Sequence, residues 1–151
     1  MTRAEQRLNS NHGRLMHAAR AVPPRLRGVA IPGWGWTPRD VLAHVLAWQE
    51  EAMRRLGHPD GPLPPRRGGE TDAWNAAARE RMRGLTWDEV VDRLETNHHE
   101  LRTSLGADPP RWFGTCTYWH YTEHTRSLLT FVQTVAAQSS TMTVAPIAVQ
   151  S

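Results

Sequence analysis

The chain has no lysine; all 18 of its basic side chains are arginine. Such usage points to a GC-rich genome rather than to a function. The formal charge is only +3, and acids are dispersed among the arginines. A nucleic-acid binder clusters its cations on one face or interleaves them with stacking aromatics, and neither pattern is present. There is one cysteine, Cys116, which excludes an internal disulfide framework and any cysteine-rich zinc module. No apolar run approaches the ~20 residues that span a bilayer. The first twenty residues, MTRAEQRLNSNHGRLMHAAR, lack an apolar signal core, so the expected compartment is the cytoplasm. Glycine-rich phosphate loops and dinucleotide fingerprints are missing too, which argues against phosphoryl transfer and nucleotide redox chemistry.

What is present is helical periodicity. Leu8, Leu15, Met16, Ala19 and Val22 recur at helical spacing over 3–21, and Pro23-Pro24 ends that segment. Thr37, Pro38 and Asp40 form a helix start, with a cap, a proline at the first position and an acid at the third. The helix they open runs to Gly57. Prolines and glycines over 57–69 (GHPDGPLPPRRGG) predict a loop. Further helices are expected over 71–83, from a cap at Thr86 with Glu89 to about Leu105, and over 116–138. The fold class is therefore all-α: an antiparallel four-helix bundle with a long crossover between the second and third main helices. Residues 1–138 form a single domain and 139–151 a flexible tail. Bundles of this kind place metal and cofactor sites between facing helices.

Histidines are the informative polar residues. His120 and His124 are four residues apart, so both project from one face of the last helix. That helix carries Tyr121, Leu128, Phe131, Val132 and Val135 on its apolar side; His124 lies within it and His120 borders it. On the second helix His44 sits at the edge of the stripe of Val41, Leu42, Val45, Met53 and Leu56, beside Trp48. Three neutral imidazoles from two helices leave coordination positions open, as a catalytic divalent site requires. The competing reading is three independent histidines satisfied by backbone or solvent. His12, between Leu8 and Leu15, and His98, between Leu94 and Leu101, are candidates to line the same cavity, and the plainer reading of each is a boundary histidine. Trp34, Trp36, Trp48 and Trp119 are candidate pocket walls. Arg126 is a candidate for holding an anionic group, and Tyr121 and Glu51 are candidates for supporting roles.

His120-Tyr-Thr-Glu123-His124 also matches H-x-x-E-H, the zinc signature of inverted metalloproteases. That chemistry needs a further acid downstream, and no Asp or Glu follows Glu123. Glu123 is also expected to turn away from the apolar side, and the peptidase reading is rejected.

GWTPRDVLAHVLAWQEEAM (35–53) resembles the second-helix signature of the DinB/YfiT-like superfamily. WNAAARERMRGLTWDEVVDRLETNHHELRTSL followed by TYWHYTEH resembles its DfsB/colibactin-resistance branch. The likeness covers roughly 35–130. The chain departs from the superfamily's usual HRGQ-like run, having His124-Thr125-Arg126-Ser127 instead. The resemblance implies a divalent metal, zinc or nickel first, held by His44, His120 and His124. It also implies activities of two kinds, thiol-dependent transfer or isomerisation and hydrolysis of a strained electrophile in self-resistance, so a low-molecular-weight thiol is an expected cofactor. The expected function is a metal-dependent addition of water or a thiol to a small electrophilic metabolite, with Trp36, Trp48, Tyr121, Arg126, His12 and His98 as substrate contacts. The alternatives are a non-catalytic protein that sequesters a small molecule, and a homodimer whose apparent pocket is interface. Neither nucleic acid nor membrane is an expected partner.

Overall fold

The computed structural model describes residues 1–61 and 68–142, and every regular element among them is helical. Helix α1 is Arg3–Arg20, α2 Pro38–Gly57, α3 Gly68–Arg81 and α4 Trp87–Ser104. The last rod has three parts: α5, Arg111–Gly114; a π-helical turn, Thr115–Trp119; and α6, His120–Met142. A 3₁₀ turn, Pro24–Leu26, lies between α1 and α2.

The starts of the helices follow from their caps. Thr2 with Glu5, and Thr37 with Asp40, each form reciprocal capping boxes, satisfying N–H groups that a helix end leaves without partners. At Thr86 the hydroxyl oxygen accepts from Glu89 N–H, but the Glu89 carboxylate takes the Thr86 hydroxyl rather than the backbone N–H. Several boundaries differ from expectation: α3 spans Gly68–Arg81 rather than 71–83, and the last rod begins at Arg111 and runs to Met142 rather than covering 116–138. No glycine or proline interrupts Ala137–Met142, so nothing local breaks the ladder there. Residues 62–67 of the expected loop, and 143–151 of the expected tail, lie outside the described residues.

Contacts between helices fix the topology. Arg39, at the start of α2, donates to the Leu85 carbonyl at 2.7 Å and to the Met82 carbonyl, just before α4, and Gln49 reaches Leu94 at 3.2 Å. Helices α2 and α4 therefore run the same way. His44 meets His124 while Trp48 meets His120, so α2 and α6 run antiparallel. Tyr118 bonds the Ala4 carbonyl and Thr122 bonds Asn11, which makes α1 and α6 parallel. The long crossover is what permits this: α3 carries the chain back to the end where α2 began. The core residues expected on α1 (Leu8, Leu15, Met16, Ala19) and Val22 after it are all at most 2% exposed. They pack with Leu42, Leu46, Leu94, Leu101 and Leu128.

Thr37 anchors the helix that carries His44. Replacing it with alanine is expected to lower the unfolding free energy by about 1 kcal/mol, measured by urea titration at pH 7; an unchanged midpoint would mean that the α2 start is held by Arg39 and Pro38 alone.

Candidate metal centre

Helix α2 delivers His44 and α6 delivers His120 and His124, one turn apart. One ring nitrogen from each histidine lies within 4.8 Å of the others. All three residues are buried, at 8%, 5% and 6% exposure. Ideal tetrahedral ligation at ~2.0–2.1 Å puts nitrogens roughly 3.3 Å apart, so small side-chain rotations convert this cluster into a ligand set. Burial lowers His44 to about 3 and His120 and His124 each to about 4, the other two imidazoles adding to the effect at His44. The rings are therefore neutral at physiological pH, the state in which imidazole binds a metal.

Their hydrogen bonding is incomplete. His120 Nδ1 lies 2.6 Å from the Thr115 carbonyl, which makes it the protonated nitrogen and leaves Nε2 with its lone pair. That bond sits on the π turn, whose first residue is Thr115. A π turn is rare and recurs at functional sites, and here it reaches the residue that orients one imidazole. Nδ1 of His44 and Nδ1 of His124 are buried without a hydrogen-bond partner among the described residues. Three neutral, convergent imidazoles are a donor set that fits a divalent ion. These three histidines can hold a metal ion.

The surroundings are aromatic. Ile31 N–H donates to the Trp36 carbonyl at 2.8 Å, closing a loop in which Gly33 and Gly35 have φ of 80° and 84°. Only glycine adopts that backbone readily, so Gly-Trp-Gly-Trp is a turn that projects two indoles. Trp34 stacks on His124 with centroids 5.9 Å apart, and Trp36 meets His44 edge-on at 5.3 Å. Trp48 stacks on His120 at 4.9 Å and donates its indole N–H to Asn75 of α3 at 3.0 Å. The trio opens into a cavity of 920 Å³ lined by Trp34, Trp48, Trp112 and Trp119 among others. A neighbouring recess of 750 Å³ shares His44, Trp34 and Asn75 with it and adds Trp36.

The other sequence candidates fall elsewhere. His12 and His98 stack on each other, centroids 3.8 Å apart and 4° from parallel, and His12 Nε2 lies 3.3 Å from the Leu94 carbonyl. Tyr121 is fully buried and its hydroxyl accepts from Gln49 at 3.0 Å. None of the three lines the cavity: a step of one residue from His120 turns Tyr121 into the bundle interior, where the α1–α4 histidine pair also lies. Arg126 is exposed, 3.7 Å from Glu123, and borders a separate surface recess. Glu51 pairs with Arg54 and Arg55 rather than with a histidine. Glu123, only half-buried, also lines the cavity. Residues that the sequence did not single out include Arg55, Trp112 and Asn75. Arg55 carried a usable signal, since it lies eleven residues from His44 and so on the same face of α2.

No protein-family model matches the sequence, and no curated protein matches it. Solved structures share the fold. An uncharacterised protein from Escherichia coli UTI89 superposes with a TM-score of 0.74 at 13% identity, over 87% of this chain and 91% of its own. The Sibling Lethal Factor Precursor DfsB does so with 0.67 at 10% identity, over 89% and 94%. At these identities the likeness is one of fold, and it agrees with the resemblance of the sequence to the DfsB branch. Among the described residues no helix is long and apolar enough to cross a membrane. The class that fold and site define is a four-helix bundle with an open three-histidine centre.

Burial lowers five histidines here, His12 and His98 to about 4 as well as the trio. The unfolded chain thus binds more protons than the folded one between about pH 6.5 and 4, and stability rises with pH across that window. For metal-free protein, chemical denaturation should give constant stability above about pH 6.5. Below it, stability should be lost at up to about 1.4 kcal/mol per histidine per pH unit. A flat profile down to pH 5 would mean the rings are more open to water than their burial implies.

Proposed function

We propose that the chain is a divalent-metal-dependent enzyme that adds water or a thiol to a small electrophile, with His44, His120 and His124 as the metal ligands. The observation that carries this reading is the convergence of three neutral, buried imidazoles on the end of an aromatic cavity. Zinc or nickel suits an all-imidazole set. Because the ligands are neutral, a bound divalent ion keeps its full charge, and the chemistry it supplies is Lewis acidity: lowering the pKa of water or a thiol, or polarising an electrophilic oxygen. The chain's residues do the rest. Thr115 holds His120 in one tautomer, Trp34 and Trp48 pack the rings and exclude bulk water, and Trp36 limits approach to His44. A low-molecular-weight thiol is the co-substrate of the transferase version. The fold shared with DfsB supports a resistance-type role, in which the electrophile is a toxic metabolite.

A non-catalytic, sequestering protein is the second reading, favoured by the size and aromatic lining of the cavity. Wild type, His124→Ala and chelator-treated protein, assayed side by side for hydrolysis and thiol addition on an electrophile panel, separate the two. The His124 substitution is expected to weaken zinc or nickel binding more than about 100-fold and to abolish turnover. The helical circular dichroism should be retained, because Leu128 and Phe131 supply the core on that face. Turnover no faster than the protein-free background in all three samples would leave the sequestering reading standing, and equal turnover above background would mean that the metal is not catalytic.

A further inference from the structure

The cavity has a second, charged end. Positions 44, 48 and 55 fall on one face of α2, because steps of four, seven and eleven residues return to nearly the same angle. Arg55 lies roughly 16 Å along the helix axis from His44, yet it lines the same cavity. It is 5% exposed. Its Nε donates to Glu51 at 3.2 Å, and its guanidinium carbon lies 5.1 Å from the centre of the Trp112 ring. Those two contacts fix the guanidinium plane. The terminal nitrogens, four N–H donors, find no hydrogen-bond partner among the described residues.

Glu51 does not account for Arg55. Its carboxylate already receives two bonds from Arg54, at 3.0 and 2.5 Å, so the Arg54–Glu51–Arg55 group carries one net positive charge. Arg111 borders the same end of the cavity and adds another. The unpartnered terminal nitrogens are not among the sealed-off polar atoms and open on the cavity, where the planar fork fits an oxyanion with two parallel bonds.

We propose that Arg55 forms an anion subsite, reading a carboxylate or comparable oxyanion on a ligand whose other end reaches the histidine trio. Trp48, Trp112 and Trp119 line the same cavity, so the ligand class is an elongated, partly aromatic monoanion about 10 Å long or more. The subsite rests on Arg55 alone; that its ligand is the substrate rests on the proposed function.

The test uses a matched pair of fluorescent probes on chelator-treated full-length protein, so that no metal contributes to anion binding. 8-Anilinonaphthalene-1-sulfonate and N-phenyl-1-naphthylamine differ by the sulfonate. Wild type is expected to bind the sulfonate about ten-fold tighter or better. Arg55→Met should bring the two affinities within about two-fold, with the uncharged probe and zinc affinity unchanged. Should the single variant melt early, Arg55→Gln, which keeps a polar chain beside Glu51 without the positive charge, repeats the comparison. Equal affinities in wild type, or a preference that survives Arg55→Met, overturn the subsite. Loss of zinc binding in Arg55→Met also overturns it, by making Arg55 a structural residue. A wild type that binds no zinc but keeps the anion preference sinks the metal reading and leaves the subsite intact.

Discussion

The candidate centre depends on α2 and α6 running antiparallel with matched four-residue steps. Moving one turn down α2 moves one turn up the facing helix, which stacks the side chains in rungs: His44 against His124, Trp48 against His120 and Arg55 against Trp112. A cavity between two such helices is read out in register, neutral ligands at one end, indoles in the middle and a cation at the other. This pairing requires the crossover. Because α2 and α4 run the same way, α3 has to return alongside them, and it lands where Trp74 packs on Trp48 at 4.3 Å and Asn75 holds the Trp48 indole. The connection that the topology demands thus becomes part of the cavity wall.

Two histidine groups occupy this bundle, and their hydrogen bonding tells them apart. Across α1 and α4, His12 stacks on His98, while the Leu94 carbonyl is approached by both His12 Nε2 and the Gln49 amide, and Gln49 also reaches Tyr121. That is a polar layer consuming most of its own donors, although His98 Nδ1 and Gln49 Oε1 find no partner among the described residues. Two imidazoles meet there, and among the described residues no third ligand joins them. At the trio, three ring nitrogens converge and the backbone satisfies a single ring. The desolvation that keeps all five imidazoles neutral is common to both groups; convergence is what separates a site from a core.

Much of this was legible in the sequence. Thr37-Pro38-Asp40 marks the start of α2 because capping is local chemistry, and the spacing of His120 and His124 reports a shared face as soon as a helix is assumed. The inward placement of His44 follows from the same periodicity. What stayed hidden is what periodicity does not encode. The π turn over Thr115–Trp119 has no compositional signature, and it changes the angular register of Arg111–Gly114 relative to His120. Trp112 and Arg111 fall outside the helix expected over 116–138, so periodicity gives them no face at all. Tyr121 and His12 looked like cavity residues because apolar-face position does not distinguish the side of a helix that faces a cavity from the side that faces the core.

Cys116 shows how the cavity constrains the source of a nucleophile. It lines the same space as the trio, on the last rod about one turn before His120, and it is the chain's one thiol. Burial, the largest influence on it, pushes that thiol up to about 11, so it is protonated at neutral pH and a poor nucleophile or ligand. Arg55 pulls in the opposite direction but is itself committed to Glu51. Cys116 does not belong to the convergent ligand group. Under the proposed function, then, the attacking group enters from solution, as water or a small thiol, and the enclosed indoles leave it the same passage that the electrophile uses.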